Sequence, residues 1–320
     1  PIGALANPLV TWAPRAIAAG ATLINDAMVT RVEATASARA LHWRDASGEP
    51  HVQPADLLIL AGAPVQNARL LLASADGGLG NRSGMLGRGF ATHLLVNGHA
   101  LFEEETQCHL GVSAGGLASF SDYPKRRASG APGSIAWGIA PATKPNDLLG
   151  IANTRPDLIG AALHAFVARA SRHLATINAI VETIPQPDNR IALAASRDAY
   201  GMPLARIHHR APAEAAALVD FARARAAAVL RAAGAAESWV PPLVGHAHLS
   251  GGTVMGSDPA TSVADSFGRL HDVPGVMVMG AGLMPSIGAV SPTFTLLALA
   301  DRAAEAVLQG NKPTRQPPAS

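Results

Sequence analysis

HAHLSGGTVMGSDPATS (residues 246–262) and VMVMGAGLMPSIGAVSPTFTLLALADRAAEAV (residues 276–307) form one constellation near the end of the chain. It contains two histidines on a short segment, a glycine pair, an apolar run that ends in Gly-Ala-Gly, and Ser-Pro-Thr before a helical pattern. An apolar run that ends in small residues is typical of a buried strand whose end lets a ligand approach the backbone. The two stretches therefore predict an α/β arrangement with a ligand site.

The helical pattern after the glycines has its own start signal. Ser291 is a preferred N-cap residue, and Pro292 is a preferred first helical residue. Residues 273–300 carry no charge, but their prolines and glycines would break a continuous helix, so we expect no membrane span. We expect the helix to bury one face, formed by Leu296, Leu297, Ala300, Ala303, Ala304 and Val307.

Upstream segments repeat the pattern of strand, glycine turn and helix. Residues 12–19 predict a helix that ends at Gly20, and residues 21–63 predict strands with a hairpin turn at residues 45–48. ADLLILAGA (residues 55–63) leads into the helical run VQNARLLLAS, which predicts a second place of close backbone approach. Residues 213–235 predict a long amphipathic helix, with one face formed by Leu218, Phe221, Ala222, Ala226, Val229 and Leu230.

The composition is that of a globular chain long enough for two lobes. Its 320 residues are 48% hydrophobic with a net charge of +2, and no basic stripe predicts nucleic-acid binding. The single cysteine, Cys108, excludes an internal disulfide and a cysteine-built metal cluster. No signal peptide is recognisable, so the compartment, cytoplasmic or periplasmic, stays open. Because the chain begins at Pro1, we expect it to be part of a longer product.

The run H-x-x-G-G-T-x-M-G-x-D-P resembles the C-terminal signature of the glucose-methanol-choline (GMC) FAD-dependent oxidoreductases, closest to their gluconate, fructose and related sugar dehydrogenase branch. AGAPVQNARLLL (residues 61–72) and residues 177–209 resemble further segments of that family. The resemblance implies an α/β (α+β) fold. One part would be a partial FAD-binding, Rossmann-like lobe, and the other a substrate lobe built on a mainly antiparallel sheet with helices.

The same resemblance implies a division of the chain. Residues 1–93 would be the C-terminal part of the FAD-binding lobe and a glycine-rich linker, and residues 94–242 the substrate-binding lobe. Residues 243–310 would carry the catalytic motif and return to the FAD-binding lobe. Residues 311–320, rich in proline and polar residues, are expected to be a disordered tail.

His248 aligns with the family's catalytic histidine. The resemblance therefore implies that it is the base when a CH–OH group of an alcohol, polyol or sugar is oxidised by hydride transfer to flavin. An imidazole with an ordinary pKa of about 6.5 can accept a proton near neutrality. His246 would share a face with His248 in an extended segment. Ser291 stands where the family places an asparagine or histidine as partner of the base.

FAD is the cofactor that the resemblance implies. The helix start would bring partial positive charge to the reduced flavin, and Gly251 and Gly252 would let backbone lie against the isoalloxazine ring. At position 282 glycine replaces the family's usual serine. No metal site is implied. The expected cofactor-binding residues are Val29, Ala61, Gly62, Gly280, Ala281, Pro292 and Thr293.

The G-x-G-x-x-G dinucleotide fingerprint and its ribose-binding acid do not occur in this sequence. The resemblance thus implies a missing N-terminal FAD-binding segment or a partner chain, beside a small alcohol or sugar substrate, and it allows for an electron-acceptor subunit. One alternative is a non-catalytic flavoprotein-like subunit or fragment that binds a partner chain. A metal-dependent hydrolase using His246 and His248 is disfavoured, because no carboxylate or cysteine lies nearby at ligand spacing.

Overall fold

The computed structural model describes residues 6–35, 39–110, 117–123, 133–139, 143–242 and 245–310. The tail expected at residues 311–320 lies outside them. Within the described part, the chain is a mixed α/β protein with antiparallel sheets, which confirms the predicted fold class. The helices are α1 (Pro8–Ala18), α2 (Ala63–Ser74), α3 (Pro145–Ala152), α4 (Ala161–His173), α5 (Ala213–Ala232) and α6 (Thr293–Leu308), with a short 3₁₀ helix at Ala281–Leu283.

The strands form separate sheets. The first contains β1 (Met28–Ala34), β2 (Arg39–Arg44) and β3 (Pro50–Pro54). The others are built from β4 (Leu58–Leu60), β5 (Ala91–Leu101), β6 (Leu117–Ser119), β7 (Ile135–Ile139), β8 (Leu174–Val181), β9 (Arg190–Arg197), β10 (Pro203–His208), β11 (Glu237–Trp239), β12 (Gly245–Ser250) and β13 (Val276–Val278).

The N-terminal part begins with a capped helix and the three-stranded antiparallel sheet. Helix α1 begins earlier than predicted, because the Asn7 side chain accepts hydrogen bonds from the backbone N–H groups of Leu9 and Val10. In the turn between β2 and β3, Asp45 Oδ1 accepts two backbone hydrogen bonds. The predicted hairpin turn is therefore present.

Strands β4 and β13 are parallel neighbours, although they are far apart in sequence. The buried Asn67, on α2, fastens their carboxyl ends together. Its Nδ2 donates to Leu60 O at 3.0 Å and to Met279 O at 3.2 Å, while its Oδ1 accepts from Gly62 N at 2.8 Å. The two glycine turns predicted from the sequence, at residues 61–63 and 280–282, thus lie side by side at the carboxyl edge of this strand pair.

The largest sheet is antiparallel and six-stranded, in the order β11–β5–β8–β7–β6 with β12 also paired to β5. Helix α5 packs against one face, where Leu94, Val96 and Ala100 of β5 contribute to a common core. The buried stripe of α5 is narrower than predicted, since Val229 is exposed. The opposite face of β5 is left to line a cavity.

Helix α6 buries less of its apolar face than the sequence predicts. Of the expected residues, Ala303 is buried and Leu296 is half-buried, but Leu297 is 48% exposed. The neighbouring Phe294 is 86% exposed. The expectation was wrong because the described neighbours of α6 cover only one narrow stripe of the helix. Throughout the described residues, no helix has both the length and the apolar character needed to cross a bilayer.

Three backbone segments meet around the glycine pair. Gly252 N donates to Arg88 O, and Gly87 N donates to Gly252 O, at 2.9 and 2.7 Å. Gly251 N donates to Ala281 O at 3.2 Å. A Cβ added at position 251 would lie 2.0 Å from the carbonyl oxygen of Gly89. The space beside Gly251 is therefore filled by the chain's own linker, and the space beside Gly252 by Ile191, Ala68 and Pro64. The approach of this glycine pair to a flavin ring stays a prediction.

We predict that Gly251→Ala destabilises the protein far more than Gly84→Ala. Both glycines have positive φ, 78° and 70°, so alanine pays a similar conformational cost of about 1–2 kcal/mol at each. Only position 251 adds a backbone clash, because nothing lies within 4 Å of a Cβ at position 84. Denaturant unfolding should give a loss above ~4 kcal/mol for Gly251→Ala. Equal losses in the two variants would mean that the Gly89 contact does not hold the segments together.

Candidate active site

A cavity of about 550 Å³ opens on the free face of the large sheet. Its floor includes Leu95 and Asn97 of β5 and Gly138 of β7, and its rim includes His248 and Ser291. Pockets of this size hold small organic ligands. The two residues expected to act on a substrate therefore lie at the edge of one ligand-sized space.

A β-bulge brings His248 to this cavity. The pairing of β12 with β5 shifts register between Ala247 and Ser250, so that His248 and Leu249 face a single residue of β5. His248 adopts a positive φ of 54°, which is uncommon for a residue with a side chain. Such bulges redirect side chains beside active sites, and this one turns the imidazole away from the direction that a regular strand would give it.

His248 meets a second histidine that the sequence analysis did not assign. His93 Nδ1 lies 2.9 Å from His248 Nδ1, and the two rings meet edge to face with centroids 5.1 Å apart. On its other side, His93 Nε2 lies 2.7 Å from the carbonyl oxygen of Gly288. His93 is fully buried, so both of its ring nitrogens have protein partners.

These contacts fix the tautomers of both rings. The Gly288 carbonyl can only accept, so His93 Nε2 carries the proton. Burial lowers the pKa of His93 to about 4, hence the ring is neutral near pH 7 and its Nδ1 is an acceptor. His248 must then donate from Nδ1, which leaves its Nε2 unprotonated. Burial also lowers the pKa of His248, which favours the neutral base.

His246 does not share the site. Its ring lies 5.8 Å from that of His209, in an edge-to-face arrangement, whereas His248 contacts His93. The expectation that the two histidines share a face was wrong, because the bulge and the positive φ at His248 interrupt the alternation of a regular strand. In the described part of the chain, no group of three His, Cys, Asp or Glu side chains is arranged to hold a metal ion.

Ser291 lies at the cavity but does not cap α6. Pro292 occupies the N-cap position, and no side chain caps the helix. The prediction of a serine N-cap with proline inside the helix was wrong by one position. Because the proline stands at the cap, the exposed Ser291 precedes the helix and is placed on the cavity rim instead.

Most of the expected cofactor-binding residues are brought together. Ala61 and Gly62 follow β4, and Gly280 and Ala281 follow β13, so all four lie at adjacent strand ends fastened by Asn67. Leu296 of α6 packs against a cluster with Ala281, Met284 and Ile287, which brings Pro292 and Thr293 to the same region. Val29 is not in this group: it lies on β1 of the three-stranded sheet, paired with Trp43.

The glycine at position 282 lies close to a buried hydroxyl group. A Cβ at this position would lie 2.5 Å from Thr253 Oγ1, a buried hydroxyl without a partner in the described structure. A serine like that of the family would therefore clash with Thr253.

Two site-forming residues were missed from the sequence. His93 ends the glycine-rich run at residues 78–93, and a histidine directly after such a linker was a usable signal. Asn67 lies in the helical run after β4, and only the pairing of β4 with β13 shows which groups its side chain contacts.

The sequence is similar to that of known oxidoreductases. A family model described as GMC oxidoreductase matches residues 185–300. The chain is 28% identical over 322 residues to the fructose dehydrogenase large subunit of Gluconobacter japonicus, covering 98% of this chain and 58% of that protein. It is 28% identical over 308 residues to the gluconate 2-dehydrogenase flavoprotein of Pantoea cypripedii, covering 89% and 50%.

The fold is shared with a solved oxidase. The formate oxidase of Aspergillus oryzae RIB40 superposes with a TM-score of 0.67 at 13% identity, covering 90% of this chain and 61% of that one. The chain spans about half the length of the curated relatives it matches. These findings confirm the resemblance identified from the sequence motifs.

We predict that Ser291→Ala changes the free energy of unfolding by less than about 0.5 kcal/mol, the usual range for an exposed side chain without a cap bond. Asn7→Ala is the matched control, because Asn7 does cap a helix and its loss should cost about 1 kcal/mol. Urea unfolding of both variants measures the difference. If Ser291→Ala lowers the free energy of unfolding as much as Asn7→Ala does, Ser291 caps α6 after all.

We also predict that stability falls as the pH drops from about 6.5 towards 4. Burial lowers the pKa values of His93 and His99 to about 4, so protonation favours the unfolded chain, where they return to about 6.5. Above pH ~6.5 the free energy of unfolding has its full value with respect to these two groups. Below that pH, protonation lowers it by up to about 3 kcal/mol for each histidine. Urea unfolding across this range should show a shallower dependence of stability on pH for His93→Gln than for the parent, with His164→Gln, at an exposed position, as the matched control variant.

Proposed function

We propose that this chain, which belongs to the GMC oxidoreductase family, carries the base and part of the flavin site of an FAD-dependent enzyme that oxidises a CH–OH group of an alcohol, polyol or sugar. The observation that carries the proposal is the contact of His248 Nδ1 with His93 Nδ1 in a histidine that lines a ligand-sized cavity, because this contact leaves His248 Nε2 to accept a proton. The named dehydrogenases among its relatives support an oxidoreductase.

The substrate hydroxyl would donate its proton to His248 Nε2. His93 acts through His248: it accepts the Nδ1–H, fixes the ring orientation, and keeps the reactive nitrogen free. The Gly288 carbonyl accepts a hydrogen bond from His93 Nε2. A chain of two hydrogen bonds therefore runs from His248 through His93 to Gly288. Positioned bases of this kind typically contribute 10²–10⁴-fold to a rate.

FAD, when bound, would supply the hydride acceptor. The residues that would hold its flavin part are the exposed Ala61 and Gly62 after β4, Gly280 and Ala281 after β13, and the free backbone N–H groups at the start of α6. Small residues at the carboxyl ends of parallel strands fit close approach of such a ligand. Val29 remains a proposal for the adenine end, and the pyrophosphate cradle would come from another segment.

Ser291, which lines the same cavity, would contact the substrate hydroxyl together with His248. Its side chain is free of a capping bond, so its hydroxyl can donate or accept there. Residues 94–242 would form most of the substrate lobe, since their sheet supplies the cavity floor.

Partner chains are part of the proposal. One curated relative is named a large subunit and another a flavoprotein of a dehydrogenase, which supports an association with further subunits such as an electron acceptor. The rival, a non-catalytic subunit, is favoured by one observation: serine stands at position 291 in place of the family's longer partner.

We predict that His248→Ala lowers the rate of flavin reduction by about 10²–10⁴-fold in the FAD-loaded protein, while His246→Ala lowers it less than about threefold. The reason is that, of these two histidines, only His248 lines the cavity. Rapid mixing with an alcohol substrate and recording of the flavin absorbance measures both.

His246→Ala serves as the matched control, because it removes an imidazole from the same strand without touching His93. Similar rates for both variants would identify another base, and no reduction in the parent protein by any alcohol or sugar would favour the non-catalytic subunit.

A further inference from the structure

The cavity beside His248 follows β5, and its polarity changes along that strand. Leu95, Asn97 and His99 alternate on the face away from α5, and their partners on β8 are Ile180, Asn178 and Thr176. The sheet surface therefore passes from an apolar pair near His248, through a pair of amides, to a pair of polar side chains. At about 3.3 Å per residue, the surface from Leu95 to His99 is ~13 Å long.

A second cavity of about 510 Å³ lies at the polar end. Asn97 and Asn178 line both cavities, so the two spaces adjoin at this pair. Neither amide side chain has a hydrogen-bond partner within the described residues, and both are half-buried. The second cavity is lined by hydroxyl, amide, imidazole and carboxylate groups, including those of His99, Thr143, Asn146, Asp147, Thr154 and Thr176.

The charge of this second lining argues against an anionic ligand, and its carboxylate, on Asp147, already accepts a hydrogen bond from the backbone N–H of Lys144. No Lys or Arg is among its described lining residues, and burial keeps His99 neutral by lowering its pKa to about 4. An anion would lose its hydration there without a compensating cation, which is costly. Mixed donors and acceptors such as amides and threonine hydroxyls instead match alcohol groups, each of which donates and accepts.

We infer that the second cavity is a binding subsite for a neutral, hydroxyl-rich group such as a sugar ring. Resting on the proposed function, the inference is that the substrate is elongated: its reacting alcohol lies on an apolar portion beside His248, and its polyhydroxylated portion lies beyond Asn97 and Asn178. The two amides would bind the oxygen atoms that join the two portions.

Two glycines allow each cavity to be filled separately. Gly138, on β7, lines the first cavity, and Gly150, within α3, lines the second. A Cβ at either position would meet nothing within 4 Å, and neither glycine has a left-handed φ. Valine in a strand and leucine in a helix are favoured over glycine, so Gly138→Val and Gly150→Leu should fold while projecting side chains into their cavities.

The test compares two alcohols that share a reacting end: 4-methoxybenzyl alcohol and 4-(hydroxymethyl)phenyl β-glucoside. Calorimetry or ligand-observed NMR on the full chain measures binding without requiring turnover. The parent should bind the glucoside at least about tenfold more tightly. Gly150→Leu should abolish this preference and leave binding of the short alcohol unchanged. Gly138→Val should weaken binding of both alcohols, and each variant is the control for the other.

Equal binding of both alcohols by the parent would overturn the subsite, as would a preference that survives in Gly150→Leu. The outcome of this binding test does not depend on whether the proposed catalytic role of His248 is correct. Should His248→Ala leave flavin reduction unchanged while Gly150→Leu abolishes the glucoside preference, the subsite stands and the catalytic role falls. The reverse pair of results would leave the catalytic role and remove the subsite.

Discussion

The contact of the Gly251 backbone with Gly89 is the constraint on which the site depends. Because the backbones approach this closely, Gly252 forms hydrogen bonds with the linker residues Gly87 and Arg88. Gly251 forms one with Ala281, after β13. The linker leads directly into β5, which carries His93, and the residues after β13 lead to Gly288, which anchors it. A side chain at this point would separate the base from the residue that fixes its tautomer.

The histidine pair shows how the fold favours a neutral base. Taking both rings out of water lowers the pKa values of His93 and His248, so neither carries charge near neutrality. The same burial means that the folded protein loses stability in acid, because the unfolded chain binds protons more readily. The arrangement that leaves His248 Nε2 free for a substrate proton thus has a stability cost at low pH.

The two halves of the site have different architectures. The parallel pair β4–β13, joined by Asn67, ends at its carboxyl edge in small residues, of which Ala61 and Gly62 are exposed and Ala281 is buried. The antiparallel sheet supplies a broad floor, where small residues such as Gly138 leave room for a ligand. The segment that follows His248 joins the two halves, because Gly251 N donates a hydrogen bond to Ala281 O after β13.

The sequence alone determined the fold class, the family and the segments that carry the site, because strand-glycine-helix patterns and the H-x-x-G-G-T run are local signals. It predicted Gly62 and Gly280 near a common ligand, and their strands are indeed neighbours. Only the tertiary structure decided that His93 partners His248, that His246 faces elsewhere, and that Pro292 displaces Ser291 from the cap. A one-residue bulge reverses which face a side chain takes, and hydrogen bonds between distant segments depend on register. Neither the position of a bulge nor the register between two strands can be read from the periodicity of a single segment.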